Sequence, residues 1–144
     1  MSDDLVHLFN AYLWVGELDK SFELIELFIE KYRNSIDAKY ILVGFDILLE
    51  NAAEAVSQVP IKRITTTTSL DDGWMTLSIS DTGGGIPTAI RDNLLRERIS
   101  GNGKGLGIGL LKAQTIIEYY GGKIELASTS ESGTTMMIRL PQER

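Results

Sequence analysis

Apolar residues recur at helical spacing from Asp3 to Val15 and again from Leu18 to Tyr32, with Gly16 and Glu17 as a break between the two runs. The pattern predicts a helical hairpin. In the second run Leu18, Phe22, Ile25, Ile29 and Tyr32 form one stripe, Glu23, Glu26 and Glu30 fall on another side, and Leu27 lies outside the stripe. One face therefore calls for burial against a neighbouring helix, or against a second copy of the chain.

A third helix is expected from Ser35 or Asp37, both good N-cap residues, through Ile41, Phe45, Leu48, Leu49 and Ala52 to about Val59, where Pro60 stops it. Lys62 to Leu70 and Trp74 to Ser80 are rich in Thr, Ile, Leu and Ser and flank Asp71-Asp72-Gly73, the signature of a β-hairpin. Asp81 to Pro87 reads as a glycine-rich loop and Thr88 to Arg98 as a short polar helix or lid. Ser100 to Gly105 is a second glycine-rich loop opening into a helix to about Tyr120, ended by Gly121 and Gly122. Lys123 to Thr129 and Thr134 to Leu140 complete a last hairpin around Glu131-Ser132-Gly133.

Composition narrows the possibilities. A chain of 144 residues, 43% hydrophobic and 24% charged, fits one packed domain. A net charge of -6 argues against nucleic acid as a direct ligand. The lack of cysteine excludes disulfides and thiolate metal sites, and a single histidine excludes a multi-histidine metal centre. No apolar run approaches the roughly 20 residues of a membrane-spanning helix, so the chain as given is expected to be soluble.

Three segments carry candidate chemistry. The run Gly-Asn-Gly-Lys-Gly-Leu-Gly-Ile-Gly-Leu from Gly101 to Leu110 puts alternating glycines before a helix, where backbone N–H groups and the helix N-terminus can ring a polyphosphate; Lys104 adds a point charge. Asp-Thr-Gly-Gly-Gly-Ile-Pro from Asp81 to Pro87 places a carboxylate at a strand end beside glycines that let a flat base approach. That carboxylate can accept a hydrogen bond from the amino group of adenine. An aspartic protease would need a second such motif, and there is none. On the third helix, Glu50-Asn-Ala-Ala-Glu-Ala sets Asn51 and Glu54 on one face and Glu50 and Glu54 at i, i+4, a cluster of oxygen donors for a hard cation.

The order of these segments resembles the ATP-binding domain shared by gyrase, an ATP-driven heat-shock chaperone, histidine kinases and mismatch-repair ATPases, over about Asp37 to Arg144. The Gly-Lys-Gly-Leu-Gly-Ile-Gly-Leu run, Tyr120-Gly-Gly-Lys-Ile and the Gly133-Thr-Thr-x-x-Ile-x-Leu-Pro segment resemble a sensor histidine kinase, and the N-terminal helices resemble those of the citrate and malate sensors. The resemblance implies a two-layer α/β sandwich of the Bergerat type, helices on one face of a mixed sheet, with residues 1–35 a helical remnant of a dimerisation and phosphoacceptor region and residues 36–144 the ATP-binding catalytic domain. It implies that Asn51 coordinates magnesium, that Asp81 binds the adenine amino group, and that Gly83, Gly85 and Ile86 shape the base pocket. Thr134 would support the water network at the base, while Gly103, Lys104, Gly105, Leu106 and Gly107 would hold phosphates.

The implied reaction is transfer of the γ-phosphoryl group of ATP to a histidine, with Glu50 as the catalytic carboxylate and His7, or a histidine upstream of Met1, as acceptor. The implied partners are ATP with Mg2+, a response regulator and a second copy of the chain through the N-terminal helices; the implied location is the cytoplasm, as part of a membrane sensor or alone. Two features depart from the family pattern: Ile47 stands where a polar residue is usual, and Asn93-Leu-Leu-Arg-Glu replaces a phenylalanine-centred lid segment. An anti-sigma-factor-like serine kinase and a nucleotide-sensing module without turnover remain alternatives.

Overall fold

The computed structural model describes residues 11–12, 18–87 and 108–142, with side chains from 23 to 87 and from 109 to 142. The elements are β1 (Ala11–Tyr12), α1 (Leu18–Tyr32), α2 (Ser35–Val56), β2 (Ile64–Asp71), β3 (Trp74–Asp81), α3 (Ile108–Tyr119), β4 (Lys123–Ser130) and β5 (Gly133–Pro141). The sheet has the order β1-β2-β3-β5-β4, and every described pairing is antiparallel, in contrast to the mixed sheet expected.

Alternation fixes the sheet's inner face. Ile64, Thr66, Thr68 and Leu70 on β2 and Met75, Leu77 and Ile79 on β3 are buried at every second position, and Ile138 and Leu140 continue the face on β5. Helices cover it: α1 packs on β2, α2 on β2, β3 and β5, and α3 on β4. The α/β sandwich follows from this match between apolar sheet face and apolar helix stripes.

Helix α1 belongs to the same core. Ile25, Phe28, Ile29 and Tyr32 join one hydrophobic cluster with Ile41, Phe45 and Leu49 of α2 and with the sheet, whereas Leu27 is 61% exposed, as the stripe predicts. The expected helix from Asp3 to Val15 is not what Ala11 and Tyr12 adopt. They are extended and pair with Thr66 and Thr65, because the free edge of β2 satisfies their backbone groups.

Local chemistry sets the ends. Asn34, rather than Ser35 or Asp37, caps α2, its side-chain oxygen accepting the Asp37 N–H at 2.8 Å. Arg33 then donates from Nε to Asp37 at 3.0 Å and from its guanidinium to the Pro141 carbonyl at 2.6 Å, tying the α1–α2 junction to the end of β5. Helix α2 ends at Val56, and its last turn tightens through Ser57 N–H to Glu54 and Val59 N–H to Val56 before Pro60. The β2–β3 turn uses Asp72 (φ 51°) and Gly73 (φ 82°), the backbone of a type I′ hairpin. The N–H of Gly121 reaches Glu118 and that of Gly122 reaches Ile117, the paired bonds of a Schellman cap on α3.

Among the described residues, no helix is long and apolar enough to cross a membrane.

Candidate functional site

Asp81 ends β3 opposite Thr134 on β5. Its Oδ1 accepts the Gly83 N–H at 2.8 Å, and the backbone amide of Thr134 lies near enough to favour the charged carboxylate as well. Burial pushes this carboxyl above its ordinary value of 3.8, and the two amides work against that push by stabilising the charged form. The group is therefore a half-buried acceptor, oriented by a backbone donor.

The loop after it is fastened on three sides. Thr82 Oγ1 donates to the Ile61 carbonyl at 2.6 Å and accepts the Arg63 N–H at 2.9 Å, which ties the loop to the connection between α2 and β2. Gly83 lies against α2, where a β-carbon would come within 2.7 Å of Ala55 Cβ and 2.8 Å of its carbonyl oxygen. Gly85 has φ 87° and lies against the Ser130 carbonyl, so a side chain there meets both torsional strain and a collision. The Ile86 N–H donates to Thr129 Oγ1 at 2.9 Å, and Thr129 Oγ1 lies 2.9 Å from Thr134 Oγ1.

Asn51 is placed by its neighbours one turn away along α2. Four residues after it, Ala55 touches Gly83; four residues before it, Ile47 lies 3.4 Å from where a β-carbon of Gly109 would be, in the first turn of α3. Half-buried Asn51 thus sits on the ridge between the Asp81 loop and the N-terminus of α3, the end of a helix that favours anions. Glu50 and Glu54 are exposed beside it. Burial, then the charge of Glu50 and a hydrogen bond with it, raise the pKa of Asp46, one turn earlier.

Asp81, Gly83, Gly85, Ile86 and Thr134 thus lie together, linked through Thr129 and Ser130, and Asn51 stands on α2 one turn before Ala55, the residue against Gly83. The remaining expected residues, His7, Gly103, Lys104, Gly105, Leu106 and Gly107, and the lid from Thr88 to Arg98, lie outside the described residues. Thr129 was not among the sequence candidates. Its signal lay in the turn: a two-residue connection at Glu131-Ser132 sets Thr129 directly across from Thr134.

The donors suit magnesium only in company. Among the described residues no group of three or more acidic or histidine side chains could hold a metal ion, while Asn51 offers one amide oxygen. Magnesium commonly takes one or two protein oxygens and completes its shell with water and phosphate, so the donor set fits an ion that arrives with a nucleotide.

Similarity to known proteins agrees with this geometry. The chain is 32% identical over 95 residues to the sensor protein FixL of Bradyrhizobium diazoefficiens, covering 65% of this chain and 19% of that protein. It is 29% identical over 144 residues to a probable C4-dicarboxylate sensor kinase of Halalkalibacterium halodurans, covering 93% and 27%. It is 33% identical over 107 residues to the C4-dicarboxylate transport sensor protein DctB of Rhizobium meliloti, covering 74% and 17%. The chain thus spans roughly a fifth to a quarter of the length of these relatives.

Among solved structures, the fold matches the catalytic domain of histidine kinase ThkA (TM-score 0.63, 23% identity, 92% of this chain and 95% of that one) and the mycobacterial sensor histidine kinase MprB (TM-score 0.59, 21% identity, 92% and 99%). The family model of histidine kinase-, DNA gyrase B- and HSP90-like ATPases matches residues 36–144, and the chain belongs to that family.

Proposed function

We propose that this chain is the ATP-binding kinase core of a two-component sensor histidine kinase, which presents the γ-phosphoryl group of ATP to a histidine. The observation that carries the reading is the Asp81 carboxylate, held by the Gly83 N–H at a strand end opposite Thr134, in a loop that Gly83, Gly85 and Ile86 shape. Asp81 receives the amino group of adenine, Asn51 lies on the path towards the phosphates, and the N-terminal end of α3 faces their charge.

Bound Mg2+ would supply charge neutralisation between the phosphates, with Asn51 as its protein ligand. The imidazole nitrogen of the acceptor attacks the γ-phosphorus, the N–P bond forms as the bond to the departing ADP oxygen breaks, and Glu50 takes the proton from the other imidazole nitrogen. Most of the acceleration comes from positioning and charge stabilisation. His7 is the candidate acceptor within the chain, a response regulator the next recipient, a second copy the partner through the N-terminal segment, and the cytoplasm the location.

One observation favours a second reading. Ile47, apolar and packed towards Gly109, occupies the position where a polar residue is usual, which fits a module that senses nucleotide without turnover. Incubation with γ-labelled ATP and magnesium separates the two. Acid-labile label on the chain, or on an added histidine-bearing dimerisation domain, supports the kinase; nucleotide binding with no label on either supports the sensor.

A further inference from the structure

We propose that the Thr129 hydroxyl fixes Thr134 as a hydrogen-bond donor in the base pocket and so makes Thr129 a positioning residue for selecting adenine over guanine. The inference rests on the reading of the Asp81 loop as the base site. A hydroxyl has one proton and two acceptor lone pairs. One lone pair of Thr129 Oγ1 takes the Ile86 N–H at 2.9 Å, and the Thr134 oxygen lies 2.9 Å away on the other side.

Either hydroxyl can donate across this contact; we assign the proton to Thr129, which leaves the proton of Thr134 for a ligand, while the Thr134 backbone is paired with Asp81 in the strand ladder. Thr134 is only 7% exposed, so a hydroxyl pointed the wrong way there has little water to correct it.

The pocket then shows an acceptor, Asp81, beside a donor, Thr134. Adenine presents the complementary pair along one edge, an amino donor next to a ring-nitrogen acceptor. Guanine presents the reverse, a carbonyl acceptor next to a ring N–H, and would set its oxygen against the Asp81 carboxylate. The same Thr129 oxygen holds the Ile86 amide, so the loop that borders the base and the hydroxyl that reads it are set by one side chain.

The test compares ADP and GDP affinity in the full chain and its Thr129→Val and Thr129→Ser variants. Valine keeps the shape and removes the hydroxyl; its ADP affinity should fall about tenfold, the scale of one lost hydrogen bond, with GDP affinity little changed, so the adenine preference narrows. Serine should restore ADP affinity to within about twofold, since it keeps the hydroxyl that the argument requires. An unchanged preference in Thr129→Val, an equal loss for both nucleotides, or a serine variant that behaves like valine would each overturn the proposal. Should the valine variant not fold, exchange of the Ile86 amide in the unaltered chain decides: slow exchange supports the Thr129 bond and solvent-like exchange overturns it. An unaltered chain that binds no adenine nucleotide overturns the base-site reading itself, a failure distinct from one confined to the variants.

Discussion

Asp81 and Thr134 face each other across β3 and β5, and just past that pair the Gly83 N–H donates to Oδ1 of Asp81 at 2.8 Å. The Gly83 bond orients a carboxylate that is otherwise disfavoured by burial. Replacing it with Asn keeps the shape and removes the charge. Asp81→Asn should weaken adenine-nucleotide binding by about 1–3 kcal/mol, the scale for hydrogen bonds to a charged group; titration calorimetry of ADP against both proteins measures it, and equal affinities would remove Asp81 from the base site.

The pH response has a definite sign. The folded-state pKa of Asp81 is raised above its ordinary 3.8, so the proton favours the folded state. The stability this contributes is complete below 3.8 and is lost as pH rises through the raised folded value. The unaltered protein should therefore gain stability relative to Asp81→Asn as pH falls through that window, measured as the difference in urea midpoints. Nucleotide affinity should fall over the same window, because the protonated carboxyl no longer offers a charged acceptor.

Neighbouring glycines should respond differently. A β-carbon at Gly83 or Gly85 meets the Ala55 backbone or the Ser130 carbonyl, whereas one at Gly84 meets open space. Gly83→Ala and Gly85→Ala should each cost about 1–3 kcal/mol of stability and weaken nucleotide binding. Gly84→Ala should stay within about 0.5 kcal/mol. Denaturation midpoints with parallel nucleotide titrations distinguish them.

The place of α1 in the core is also testable. Ile29 is fully buried in the cluster that α1 shares with α2 and the sheet. Ile29→Ala should cost about 2–5 kcal/mol in a single cooperative transition. Unfolding of α1 in a separate earlier transition would show that it is detached from the domain.

Where local chemistry decides structure, the sequence was readable. The Asp71-Asp72-Gly73 turn announced itself because two successive residues must take positive φ, and Gly121 and Gly122 did so because α3 needs donors for its last carbonyls. The loop at Gly83 and Gly85 was legible because glycines cluster where backbone must approach backbone, as Gly83 does at Ala55 and Gly85 at the Ser130 carbonyl. Phe28 was missed because its burial depends on how α1 rolls against α2, which spacing does not fix. The strand at Ala11 and Tyr12 was missed because a two-residue edge is chosen by the partner edge of β2, not by its own residues. Thr129 carries no motif; its role exists only once β4 and β5 are paired in register.

In the proposed site the Asp81 loop and Asn51 hold an adenine nucleotide together with magnesium. Calorimetric titration of the chain with ATP, with and without magnesium, measures this. Saturable binding to one site per chain, tightened by magnesium, is the predicted result; no saturable heat under either condition would contradict the account.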